Sequence, residues 1–222
     1  MRFVFIRHGQ PAWIVDDAGR DDPLLTELGE RQAAAVGRRE SSLKINEIWV
    51  SPLRRAQQTA APLGSPSVTL EFLRELRTPP IEGMSREDIA ARYAGARERP
   101  IAEWWGGIAG GETNRAFVGR IGKGFDDHFA SLGFRWEDRD GHRMWFDIPQ
   151  DGTVAIVCHA GTTGAAIAHL LALPQVPWAW ERFRLWHTGV AVLQTVPVAD
   201  GLVFSMEAFN DQSHLSPEER TR

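Results

Sequence analysis

At 222 residues, with 43% hydrophobic and 24% charged residues, the chain has the composition of an ordinary globular protein with enough apolar material for a sizeable core. A formal net charge of −4 argues against a general nucleic-acid binder, and Cys158, the sole cysteine, excludes an internal disulfide or a cysteine-based metal cluster within one chain. No apolar run reaches the length of a membrane span, and the opening MRFVFIRHG is too short an apolar stretch for a signal peptide, so a cytoplasmic location and no membrane partner are expected.

The first element is MRFVFIRH, which alternates and is rich in β-formers, so a strand is expected to end at Arg7 and His8. From Thr26 the pattern turns helical through Leu28, Ala33, Val36 and Gly37, with Thr26 as N-cap and Gly29 as a weak point in the first turns. INEIWVS, residues 45–51, reads as a buried strand, and LRRAQQTAAPL after it as a helix closed by Pro62. This β–α–β–α alternation predicts a sheet with helices packed on it.

Residues 79–150 are punctuated by Gly and Pro and read as an insertion on the sheet, a cap with one clear helix at about 112–132 carrying Phe117, Ile121, Phe125 and Phe129 at helical spacing. Trp104, Trp105, Trp136 and Trp145 fall in it, and packing of a loop-rich cap explains them better than a substrate pocket or a dimer face. GTVAIVCHAG, residues 152–161, returns to the continuous apolar run of a buried strand and again ends in His-small-Gly. A helix follows in TTGAAIAHLLAL, then a hairpin of TGVAVLQTV and GLVFSMEAF turning at 199–201. The polar tail, about 213–222, is expected to be disordered.

In open α/β sheets, ligands lie beyond the carboxyl ends of the strands. Two histidines, His8 and His159, and the segment SPLRRAQQTA are all predicted at such ends. Arginine binds phosphate oxygens through a planar fork, and a neutral imidazole is a competent nucleophile toward phosphorus. Nearby cations also disfavour imidazolium and keep the attacking nitrogen free. Two arginines and two histidines at one sheet edge therefore describe a phosphoryl pocket.

RHG at Arg7-His8-Gly9, SPLRRAQQTA at residues 51–60, LRE at Leu73-Arg74-Glu75 and CHAG at residues 158–161 together resemble the histidine phosphatase superfamily, also called the phosphoglycerate mutase-like family. The resemblance implies a single domain over residues 1–222, a three-layer α/β/α sandwich with a mostly parallel sheet, helices on both faces and the inserted helical cap. It implies His8 as the nucleophile that becomes phosphohistidine, with Arg7, Arg55 and His159 holding the phosphate oxygens and Glu75 protonating the leaving alcohol. The family spacing R-A-x-x-T-A selects Arg55 over Arg54, and the local L-x-E selects Glu75 over Glu71 and Glu82.

Where many relatives carry an acidic residue after RHG this chain has Gln10, which could still meet the phosphoryl group as a neutral donor. Glu112 matches an acidic position near the active-site mouth, or serves as a first-turn acid of its helix. Trp13 is followed by Ile14 where mutases of the family place a phosphate-binding asparagine, which lowers the odds of a phosphoglycerate mutase. The reading is a phosphomonoester hydrolase needing no cofactor or metal. A mutase-type phosphotransferase and a non-catalytic phosphoester binder are the rivals. The partner is a small phosphorylated metabolite, with a phosphoprotein and a homodimer left open.

Overall fold

The structure is a computed structural model that describes residues 1–96 and 98–222. In chain order the elements are β1 (Arg2–Arg7), β2 (Ile14–Val15), β3 (Ala18–Gly19), α1 (Glu27–Glu40), β4 (Glu47–Val50), α2 (Arg54–Ala60), β5 (Ser67–Thr69) and α3 (Arg86–Tyr93). They continue with α4 (Asn114–Ser131), β6 (Arg135–Arg139), β7 (His142–Phe146), β8 (Thr153–Cys158), α5 (Ala160–Leu170), β9 (Val190–Val198) and β10 (Gly201–Asp211). Among the described residues no helix is long and apolar enough to cross a membrane.

Eight of these strands form one sheet in the order β5-β4-β8-β1-β9-β10-β7-β6, while β2 and β3 make a separate small ribbon. The strands β5, β4, β8 and β1 are mutually parallel, and each later neighbour reverses direction. Only β9 and β7 therefore run against the other six, which makes the large central sheet mostly parallel in strand direction. The central strand β1 shows why both faces are covered. Phe3 and Phe5 belong to a core with Phe117, Ile121, Phe125 and Phe129 of α4 and with α5, whereas Val4 and Ile6 belong to a second core with Val36 of α1 and Ala56 and Ala60 of α2. Side chains of a strand alternate between faces, so four successive buried residues require a helical layer on each side.

The amino end of α1 is as its sequence suggests: Thr26 Oγ1 accepts from Gly29 N at 3.0 Å. Gly29 is not a weakness there. A Cβ on it would lie 2.2 Å from the carbonyl oxygen of Gln10, and one on Gly9 would lie 2.5 Å from the carbonyl oxygen of Gly29. The two glycines let the chain leaving β1 lie directly on the first turn of α1.

Two expectations are corrected. The stretch 79–150 is not one inserted cap. Only its first part, with α3 and a 3₁₀ segment at Ile101–Gly106, lies outside the central sheet and its core, while α4 is a core layer helix and β6 and β7 extend the central sheet. The physical reason is the apolar stripe of α4: Phe117, Ile121, Phe125 and Phe129 are fully buried, and Phe129 meets Phe3, Trp49, Trp145 and Phe204 at centroid distances of 5.2–6.2 Å. The tail 213–222 is ordered as well. Leu215 is buried, a capping box at Ser216 starts a 3₁₀ turn at Pro217–Glu219, and Gln32 of α1 donates to the Glu219 carbonyl at 2.6 Å and to Thr221 Oγ1 at 2.9 Å. Hydrogen bonding to a buried glutamine, with the burial of Leu215, holds it.

Candidate active site

Three chain segments leave the carboxyl ends of adjacent parallel strands side by side. Register pairs Arg7 with Cys158 and Val50 with Val157, so His8 and His159 emerge side by side, with Ser51 one residue before them beside Cys158. The amide of His8 donates to the Cys158 carbonyl at 2.9 Å and that of Ser51 to the Val157 carbonyl at 3.0 Å, carrying the ladder one residue beyond the strands.

His8 is buried with its Nδ1 2.7 Å from its neighbour's carbonyl, Gly9 O. A carbonyl only accepts, so Nδ1 carries the proton and Nε2 presents its lone pair. Arg55 Nε lies 3.3 Å from that Nε2. The His8 and His159 rings are 5.0 Å apart and the His8 and His187 rings 5.7 Å apart. Burial above all, then His159, Arg55 and Arg7, drive the His8 pKa well below the usual imidazole value, so the ring is neutral at physiological pH and its unprotonated Nε2 accepts from Arg55 Nε.

His159 is the N-cap residue of α5, yet its side chain makes no capping bond. Its Nε2 lies 2.7 Å from Ser51 Oγ, and that oxygen is already receiving the amide of Leu53 at 3.3 Å. The Ser51 hydroxyl can donate its proton to Nε2, and in that tautomer the proton of His159 sits on Nδ1. Burial first, then Arg55 and Arg7, also push this imidazole well below its usual pKa. Among the described residues five buried side-chain nitrogens lack a protein partner, and two of them, His159 Nδ1 and Arg7 Nε, belong to this site. Buried donors without acceptors are costly unless a ligand supplies them.

Arg7 is anchored at both ends of its guanidinium. Nη1 donates to the Leu185 carbonyl at 2.7 Å and Nη2 to His187 Nε2 at 3.0 Å. Burial lowers its pKa to about 10, which leaves it charged at neutral pH. Arg55 is buried and paired with Asp22 at 3.4 Å, whereas Arg54 is exposed. The Arg55 guanidinium also lies 4.7 Å from the Trp13 ring centroid.

Glu75 also differs from its rivals in position. Its Oε2 accepts from Gly161 N at 2.9 Å, at the amino end of α5, and its Oε1 from Leu76 N at 2.9 Å. Glu71 instead pairs with Arg74 and Glu82 with Arg20, both carboxylates well exposed. Gly161 is required for this approach: a Cβ there would fall 2.5 Å from Glu75 Oε1. Arg55, Glu75, Trp13, Leu53, Arg74 and Arg77 line an open cleft of about 350 Å³. On the other side of Gly161, Arg7 borders a second cleft, about 330 Å³, with Trp180, Arg184 and Trp186.

Not every expected site residue joins the cluster. Gln10 Oε1 accepts from the Thr26 hydroxyl at 2.9 Å, which leaves its amide nitrogen as the donor end. The expectation that Glu112 binds the phosphate is corrected: its carboxylate is taken by Arg120 at 2.8 Å and by the Arg77 amide at 3.3 Å. A carboxylate so placed would also repel a phosphoryl anion. Glu112 instead fixes Arg120, which donates to the carbonyls of Phe72 and Arg74 at 2.8 and 3.0 Å and so holds the segment that carries Glu75. The Thr188 hydroxyl faces His214 Nε2 at 3.2 Å, and the Thr188 amide bonds the carbonyl of Arg7 at 3.1 Å. Cys158 is pushed up to about 12 by burial and is no thiolate.

Ser51, His187, Gln32 and Thr221 were not singled out by the sequence. Ser51 stands in the arginine-bearing motif and could have been read from it; His187 and Thr221 carry no local signal, because only the fold brings them to Arg7.

A family model described as the histidine phosphatase superfamily (branch 1) matches residues 3–203. The chain belongs to this superfamily. Among curated relatives of this histidine phosphatase superfamily member, "Probable phosphoglycerate mutase GpmB" of Salmonella typhi is 28% identical over 97% of this chain and 95% of its own length. The protein of the same description from Yersinia enterocolitica is 31% identical over 97% and 95%. Among solved structures, mycobacterial glucosyl-3-phosphoglycerate phosphatase in complex with VO3 superimposes with a TM-score of 0.70 at 26% identity, covering 94% of this chain and 98% of that one. Both phosphatase and mutase names therefore occur among its relatives.

Proposed function

We propose that this histidine phosphatase superfamily member is a phosphomonoester hydrolase that works through a phosphohistidine on His8 Nε2. The observation that carries the reading is the pairing of a fixed His8 tautomer with two buried nitrogens that lack partners. Gly9 O fixes the His8 proton on Nδ1, and His159 Nδ1 and Arg7 Nε are buried beside it without partners. A phosphoryl group between them would supply acceptors to both donors and present phosphorus to the lone pair.

In the first step the Nε2 lone pair attacks phosphorus, a P–N bond forms and the bond to the ester oxygen breaks. Arg7, Arg55 and His159 compensate the charge spread over the equatorial oxygens. Glu75 gives its proton to the departing alkoxide, which leaves as an alcohol. In the second step the same carboxylate takes a proton from water, the water oxygen bonds to phosphorus, and the P–N bond breaks to restore neutral His8. Two guanidinium groups supply the positive charge this chain itself offers the phosphate, and the neutral His159 imidazole adds a hydrogen bond.

The cleft of about 350 Å³ beside Glu75 has the size of a small-molecule site, which supports a small phosphorylated metabolite as substrate. Hydrolysis is favoured over a mutase reaction by Ile14, a half-buried apolar residue where a mutase would place an amide donor, and by the phosphatase named among the structural neighbours. The test is phosphate release from a panel of phosphomonoesters in EDTA by the wild type and by His8→Ala. Release that requires His8 and survives chelation is expected. Isomerisation without net release would point to the mutase, and neither reaction on any ester would point to a binder.

A further inference from the structure

The ordered tail reaches the phosphoryl site through a chain of hydrogen bonds whose directions are all fixed. The amide of Gln10 donates to Gln32 Oε1 at 2.8 Å, so the opposite end of this fully buried side chain is the Nε2 group, which donates to Thr221 Oγ1 at 2.9 Å. Thr221 Oγ1 also lies 2.8 Å from His187 Nδ1. His187 Nε2 faces Arg7 Nη2 at 3.0 Å, and a guanidinium can only donate. Nε2 must therefore be bare and Nδ1 must carry the proton, which goes to Thr221. The backbone strengthens the same contact: the His187 amide donates to the Thr221 carbonyl at 3.1 Å, and Gln212 Nε2 donates to the His187 carbonyl at 2.9 Å.

Resting on the reading of His8 as phosphoryl acceptor, we infer that His187 is a positioning residue of the phosphoryl pocket, held in its Nδ1–H tautomer by Thr221 of the tail so that Nε2 fixes the Arg7 guanidinium. Arg7 carries five N–H groups. Leu185 O engages one on Nη1 and His187 one on Nη2, and the plane they define leaves Nε–H and the remaining hydrogens for the phosphate oxygens. Without the acceptor at His187 the guanidinium keeps a single anchor and rotates about it. The tail is then a working part of the pocket, since it sets which nitrogen of His187 is free to accept.

The two amide substitutions separate the two ends of the ring. His187→Gln places its amide where Nε2 lies and can still accept from Arg7, whereas His187→Asn reaches only the Nδ1 position and can satisfy Thr221 alone. Binding of inorganic phosphate and of orthovanadate is measured by calorimetry on the full chain, with melting temperature as the check on folding. His187→Asn is expected to weaken both anions about tenfold, the scale of one charged hydrogen bond, while His187→Gln stays within about threefold of the wild type. Thr221→Val is expected to weaken binding and Thr221→Ser to restore it. Side-chain ¹⁵N spectra of the wild type report the tautomer directly, with the proton expected on Nδ1 of His187.

Equal anion binding by folded His187→Asn and His187→Gln overturns this inference and leaves the phosphatase reading standing, as does a spectrum with the His187 proton on Nε2. Failure of the wild type to bind either anion overturns both.

Discussion

Shifting the protein from about pH 8 to about pH 5.5 charges three histidines in the unfolded chain that the fold keeps neutral. His8 and His159 are driven well below the usual imidazole value chiefly by burial, and His187 is lowered to about 3 by burial and then by Arg7. Because each folded pKa lies below the unfolded one, their effect on stability is nil well above pH 6.5 and grows as the pH falls beneath it. One unit below the unfolded pKa, each group costs RT ln(1 + 10), about 1.4 kcal/mol, so the three together remove ~4 kcal/mol from a typical total of 5–15. His214, lowered to about 4, adds in the same direction, while Glu40, raised by burial, opposes it. The carboxylates held low by hydrogen bonds, such as Asp126 by His169 and then Arg143, give up their stability only at more acid pH.

Urea unfolding in phosphate-free buffer measures this. With a slope of ~2 kcal/mol per molar, the midpoint should fall by ~2 M between the two pH values, and by about a third less in His187→Gln. A midpoint that moves by less than ~0.5 M through a single transition would refute the assignment of neutral, buried imidazoles to the site.

Gly161→Ala should push the Glu75 carboxylate out of its place, since the new Cβ would sit 2.5 Å from Oε1; kcat should fall by roughly tenfold or more with KM for the ester little changed, as steady-state kinetics on a folded variant will show. Ser51→Ala removes the hydroxyl that fixes the His159 tautomer and should lower kcat/KM by about tenfold, and ¹⁵N spectra should show His159 losing its single tautomer. Phe129→Ala should cost ~3–5 kcal/mol in urea unfolding because the ring is fully buried against β1; a loss under ~1 kcal/mol would mean that α4 is a peripheral cap helix after all.

The parts of the site legible in the sequence are those that sit on strand ends. Arg7 and His8 stand at the close of an alternating run and His159 at the close of a buried one, so their convergence follows from sheet physics before any contact is seen. Arg55 was reachable through the resemblance, whose R-A-x-x-T-A spacing selects it over Arg54. Other parts could not be read. The aromatic stripe of α4 was legible as a helix but not as a core layer, because the phenyl rings of β1 and β10 that cover it lie far away in sequence. Asp140-Gly141 is a hairpin signal between β6 and β7, yet their strands carry arginine and acid at exposed positions and lack the alternation that identifies a strand. The tail was misread because its order comes from Gln32 and His187, two buried polar residues that composition cannot distinguish from exposed ones.

The central claim is that His8 Nε2 takes the phosphoryl group. Rapid quenching of the enzyme with a ³²P-labelled phosphomonoester, followed by alkaline isolation and peptide mapping, tests it most directly. An acid-labile, alkali-stable label is expected on the peptide that contains His8, formed faster than phosphate is released and absent from His8→Ala. Continued phosphate release with no label on His8 at any quench time would contradict it.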